Sequence, residues 1–142
     1  MSQKNEILET ARSDFERLQV IHKVFVSQIN RKDQPQSSVW SLKFVDGGLC
    51  VSFLDLEFRA NRRSVAVDSR FVANEYAFTG AIGGKEHVLL CIYLVPDGGL
   101  YFSSKLDAAT RIYDCNNPYV INNIIIKLLD AAMSSPFFAP LV

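Results

Sequence analysis

Two short stretches decide how this chain folds: Val45-Asp46-Gly47-Gly48-Leu49 and, about fifty residues later, Val95-Pro96-Asp97-Gly98-Gly99-Leu100. Each Asp-Gly-Gly lies between runs of apolar and aromatic residues, a strong hairpin signal. The first can be tested by register. If Asp46-Gly47 is a two-residue loop, Val45 faces Gly48, Phe44 faces Leu49, Leu42 faces Val51 and Trp40 faces Phe53. All the large groups then share one face, while Lys43, Cys50, Ser41 and Ser52 share the other. A three-residue loop mixes the faces, because side chains alternate with period two. The sequence therefore predicts a type I′ turn here. The same register applied to the second stretch pairs Val95 with Leu100 and Tyr93 with Phe102. There the other face is apolar too, through Leu90, Ile92 and Leu94.

Outward from these turns, alternation changes phase after Phe53. Leu49, Val51 and Phe53 are odd-numbered, whereas Leu54, Leu56 and Phe58 are even, which reads as a bulge near Phe53-Leu54. Asn61-Arg62-Arg63 reads as the next turn, residues 64–73 as a third strand and 75–81 as a fourth. Ile82-Gly83-Gly84-Lys85 is a further turn. Val88 to Val95 is continuously apolar, as in a buried strand. Residues 105–116 admit either a helical turn at Asp107 to Thr110 or a short edge strand at Arg111-Ile112-Tyr113.

Helices bracket this sheet. Over residues 4–31, Leu8, Ala11, Phe15, Leu18, His22, Phe25 and Ile29 recur at alternating spacings of three and four, one stripe of a long helix. Val20, Val24 and Val26 widen its apolar face, so its C-terminal half is expected to be covered on two sides. Asn117-Pro118 reads as a cap followed by proline at the first turn of a second helix, 118–133. The apolar tail 136–142 follows. The expected fold is thus one α+β domain over 1–142. A five- to six-stranded antiparallel sheet, mostly meander, spans 39–104, with both helices on one face.

Composition narrows function mainly by exclusion. Fifteen basic residues balance fifteen acidic ones, so no global field favours nucleic acid. Three cysteines without metal-ligand spacing indicate reduced thiols and a cytoplasmic setting. No apolar run is long enough to span a bilayer, and the N-terminus has no secretory pattern. No His-x-x-x-His or Cys-x-x-Cys occurs, and no metal or other cofactor is expected. Gly83-Gly84-Lys85 lacks the rest of a phosphate loop. Of the two histidines, His22 lies on the first helix's stripe, where a hydrogen-bonded, half-buried ring is expected. His87 stands at a strand start, an ordinary solvated position.

Three candidate sites remain. Phe137, Phe138 and Leu141 make the tail adhesive, suited to association in cis or in trans. Arg59, Arg62 and Arg63, with Arg70, form the densest basic region and can meet an acidic partner, although Asp55, Glu57 and Asp68 give that region mixed sign. Cys115, just before the expected helix start, is the best-placed thiol for nucleophilic chemistry, with His87 as a conceivable base.

The segment Leu42-Lys43-Phe44-Val45-Asp46-Gly47-Gly48-Leu49-Cys50-Val51 resembles, over about ten residues, the opening strands of small bacterial secretion chaperones. That resemblance implies a helix–sheet–helix dimer of similar size. The chain departs from the pattern in having no clear helix between its strand groups and no acidic balance. The leading expectation is a small intracellular, non-enzymatic protein-binding module (adaptor, chaperone or inhibitor-like) that meets a protein partner or a second copy of itself. The alternatives are a small-molecule domain with an apolar pocket lined by Trp40, Phe53, Tyr76 and Tyr93, and an enzyme using Cys115.

Overall fold

In the computed structural model, the described residues are 3–31, 40–53, 56–67, 71–82, 84–103, 111–117 and 119–135. Helix α1 (Gln3–Ile29) precedes strands β1 (Trp40–Val45), β2 (Gly48–Phe53), β3 (Leu56–Val67), β4 (Phe71–Ile82), β5 (Lys85–Leu94), β6 (Gly99–Tyr101) and β7 (Arg111–Asp114), and helix α2 (Val120–Met133) closes the series. The strands form one antiparallel sheet in chain order, β1 to β7. The class is α+β. Beyond the expected five or six strands stands the short edge strand β7, the second of the two readings open for 105–116.

The first hairpin has the register its side-chain pattern demands, from Trp40 opposite Phe53 to Val45 opposite Gly48. Asp46 and Gly47 both adopt positive φ, 51° and 78°, as a type I′ turn requires. The second hairpin differs from expectation by one step. Leu94 faces Leu100 and Tyr93 faces Tyr101, not Phe102. Proline is the physical reason, since Pro96 fixes a negative φ where a type I′ turn needs a positive one. The chain instead makes a turn closed by Gly98 N–H donating to Val95 C=O at 2.9 Å, with Gly98 left-handed at φ 92°. The Asp97 carboxylate accepts from Gly99 N–H at 2.8 Å.

The phase change after Phe53 is a chain reversal, not a bulge in a continuing strand. Phe53 pairs with Leu56, so β2 and β3 are hairpin neighbours, and a two-residue connection reverses parity as a bulge would. Leu54, where the bulge was placed, lies outside the described residues. Asn61-Arg62-Arg63 is not a turn either. It is the middle of β3, paired with Ala77, Tyr76 and Glu75 of β4. The segment has no glycine or proline to break a strand, and its side chains are exposed on either face. The third and fourth expected strands accordingly divide differently, with Val67 opposite Phe71. An actual irregularity falls between Phe78 and Thr79, where Phe78 pairs with Leu90 and Thr79 with Val88, leaving Leu89 as the extra residue.

One sheet face carries the main core. Leu42, Leu49, Val51, Phe58, Ala60, Tyr76, Phe78, Ile92, Leu94 and Leu100 meet Phe25 and Ile29 of α1 and the buried stripe of α2. Both helices therefore cover the same face, as their apolar stripes imply. A smaller cluster of Ala73, Val95 and Tyr101, joined by Val65 and Tyr93, lies apart from it. Helix α2 begins at Val120, two residues later than expected. Asn117 acts earlier, its side-chain oxygen accepting from Tyr119 N–H at 2.9 Å, and Tyr119 at the helix start makes no side-chain cap.

Asn30, just past α1, holds the sheet's outer edge. Its Oδ1 accepts from Phe44 N–H at 3.0 Å and its Nδ2 donates to Phe44 C=O at 3.3 Å, so one carboxamide stands in for a neighbouring strand. Asn30→Ala should lower unfolding free energy by about 1 kcal/mol, because both bonds are solvent-exposed. Denaturant titration checks this.

Candidate functional site

Helix α1 sets up the most unusual surface. At 27 residues it is about 40 Å long. Its anchoring begins only at Leu18, which is 2% exposed and is followed by Phe25 and Ile29. N-terminal to Leu18 the same stripe continues, yet Leu8 is 68% and Phe15 45% exposed. On the far side of the anchored half, Val20 and Val24 are also exposed, and with Lys23, Ser27, Gln28 and Arg31 they line a shallow open groove. The expected second cover over Val20 and Val24 is not supplied by the described residues.

Arg59, Arg62 and Arg63 line one shallow open groove with Asn61, Glu75, Thr79 and Glu86, so its charge is of mixed sign. Arg59 lies over Gly48 and donates from Nη2 to Val45 C=O at 3.4 Å and from Nε to Asn61 Oδ1 at 3.5 Å, bracing the first hairpin. Arg63 pairs with Glu75 at 2.9 Å, and Tyr93 O–H donates to the other Glu75 oxygen at 3.1 Å. Burial, then that hydrogen bond, pushes the Tyr93 phenol up to about 12. Thr79 O–H reaches Glu86 at 2.9 Å on the same outer face. Arg62 borders the same groove, and by strand alternation its side chain leaves β3 from the opposite, helix-bearing face.

There Arg62 is the cross-strand neighbour of Tyr76. The Tyr76 hydroxyl and His22 Nδ1 share a hydrogen bond of 2.7 Å. His22 also meets Phe44 edge-on at 5.5 Å between centroids and stacks on Tyr76 at 6.1 Å. Burial lowers the His22 pKa, and the Arg62 cation lowers it further. Burial raises the Tyr76 phenol, so Tyr76 is neutral and its hydroxyl is free to donate to His22 Nδ1 or to accept from it, as the imidazole tautomer dictates. With Tyr76 as the donor, the imidazole proton resides on Nε2. This half-buried, hydrogen-bonded ring is what its place on the stripe implies.

Cys115 is 2% exposed, and burial, reinforced by Asp114, pushes its thiol up to about 11. The helix dipole proposed to activate it is displaced, since α2 starts five residues later. Its backbone N–H donates to Gly98 C=O at 2.7 Å, beyond the end of β5. His87 is near the start of that strand, seven residues before Leu94, or roughly 20 Å of extended chain. The structure does not bring the thiol and this base together. Cys115 is a core residue instead, packed with Leu94, Leu100 and α2.

Of the four residues suggested for an apolar pocket, Trp40 and Phe53 stand opposite one another and Trp40 packs on the same core as Tyr76, but Tyr93 is apart from them. Tyr76 is buried on the helix-bearing face, while Tyr93 on the opposite face bonds Glu75. Phe137, Phe138 and Leu141 lie outside the described residues, as do Asp55, Asp68 and Arg70. Among the described residues no cluster of His, Cys, Asp or Glu could hold a metal ion, and no helix is long and apolar enough to cross a membrane.

The sequence placed Leu8 and Phe15 on the apolar stripe of the first helix but did not separate them from its buried part. It did not associate Asn74 or Ser64 with Arg62, because that neighbourhood exists only once β3 runs unbroken through 61–63. The chain matches no protein-family model, no curated protein and no solved structure.

Proposed function

We propose that the protein is a non-enzymatic binding module whose docking element is the projecting half of α1, presented to a protein partner or a second copy. One observation carries this reading: the stripe that anchors α1 from Leu18 onward continues through Phe15 and Leu8, which no described residue buries. An isolated helix of about four turns is marginal in water. A partner's apolar surface laid on Leu8, Ala11 and Phe15 would stabilise it, in the manner of a helix seated in a groove. The buried state of Cys115 supports a binding role over thiol catalysis.

The double variant Leu8→Ser/Phe15→Ser tests the reading. Sedimentation of the full chain, alone and with its copurifying proteins, should show loss of the wild-type complex or self-associated species. The denaturation midpoint should stay nearly unchanged, because neither side chain contributes to the core. A variant that assembles as the wild type does would overturn the proposal, as would a wild-type chain that forms no assembly under either condition.

A further inference from the structure

We propose that Arg62, Ser64, Asn74 and His22 form a binding site for a small oxyanion, a carboxylate or phosphate group, on the helix-bearing face of β3 and β4. The block follows from register. Arg62 faces Tyr76 and Ser64 faces Asn74 across the two strands. Residues two apart along a strand share a face, and cross-strand partners have Cβ atoms about 5 Å apart. His22 closes the block from α1 through its 2.7 Å bond to Tyr76.

Each residue of the block can donate a hydrogen bond. Arg62 offers a planar fork suited to two oxygens of one anion. Ser64 offers a hydroxyl, and His22 an Nε2–H once Nδ1 is taken by Tyr76. Asn74 is 2% exposed, and its buried Nδ2 lies by the Tyr76 hydroxyl without a hydrogen bond of good geometry among the described residues. Such an orphaned donor is expensive, about 1–3 kcal/mol, unless something accepts from it. Arg62 takes part in neither of the carboxylate pairs Arg12–Glu16 and Arg63–Glu75. Its charge instead bears unfavourably on a protonated His22. An oxyanion supplies the missing counter-charge and the missing acceptor together. Arg62 and Ser64 are exposed and form the rim, with Asn74 as the floor.

The test is NMR of the histidine side chains in the full chain, titrated with sodium phosphate or with sodium acetate, against sodium chloride at equal ionic strength. Phosphate or acetate should shift the His22 signals saturably and raise the pKa of that ring, while His87 serves as the internal reference. Arg62→Gln should weaken the response at least about tenfold, the loss expected for a charge-assisted fork. Ser64→Ala should weaken it less. Preference between the two probes assigns phosphate or carboxylate as the group bound. A chloride response equal to both oxyanions would overturn the proposal. So would an Arg62→Gln chain that titrates like the wild type. Should Arg62→Gln fail to fold, the wild-type titration and Ser64→Ala decide by the same criteria.

Discussion

Phe25→Ala should destabilise the protein by about 3–5 kcal/mol, the range for deleting a fully buried aromatic side chain. Phe25 is completely buried and meets Phe44 at 5.4 Å and Tyr76 at 5.5 Å between ring centroids, both edge-on. Those contacts tie α1 to β1 and β4 together. A loss of this size is a large part of the total for a domain, about 5–15 kcal/mol. It should fall unevenly. Amide hydrogen exchange in α1 should accelerate more than in α2, which has its own buried stripe of Val120, Ile121, Ile124, Ile125 and Leu128. Leu8→Ala on the same stripe should be near neutral, since its side chain is already in solvent. A Phe25→Ala cost below about 1 kcal/mol would mean that α1 does not pack as described.

Stability should also fall as pH drops from about 7 toward 5. The folded-state pKa of His22 lies below its ordinary 6.5, through burial first and the Arg62 cation second. Between those two values the unfolded chain binds more protons than the folded one, so acidification favours unfolding. The contribution is fully present above 6.5 and is lost as pH descends through the folded pKa. With Tyr76 as the donor, protonating Nδ1 also removes the acceptor of its hydroxyl. The ring is partly solvated, and screening keeps its share to the order of 1 kcal/mol or below. Denaturant unfolding at pH 7.5 and 5.5, on wild type and His22→Gln, isolates it. The variant should lose part of the pH dependence, and an identical dependence in both chains would contradict the assignment.

Local chemistry made some of this fold legible and hid the rest. Trp40 to Phe53 could be placed residue by residue, because Asp46-Gly47 fits one turn type and only one register collects the large side chains on one face. The stripe from Leu8 to Ile29 likewise announced α1. Parity misled where two causes give one signature: after Phe53 a hairpin reverses side-chain direction just as a bulge does. Arg62 and Arg63 looked like a turn because charged residues interrupt the apolar pattern, yet a strand with room on either face accepts them. Pro96 contained the information that shifts the second hairpin, through its fixed φ. What no periodicity carries is where a sheet ends beneath a helix, and that boundary separates buried Leu18 from exposed Phe15. The grouping of Arg62 with Ser64, Asn74 and His22 was likewise beyond the sequence, since it joins residues some fifty positions apart.

The projecting half of α1 as a docking element is tested most directly by placing a photo-cross-linking residue at position 8 or 15 of the full chain in the cells that produce it. Positions 9 and 16, exposed elsewhere on the helix, serve as references. The account predicts one discrete cross-linked species from positions 8 and 15, either a dimer of this chain or a complex with one partner protein, and much less from positions 9 and 16. Equal labelling from all four positions, or none from positions 8 and 15, would contradict it.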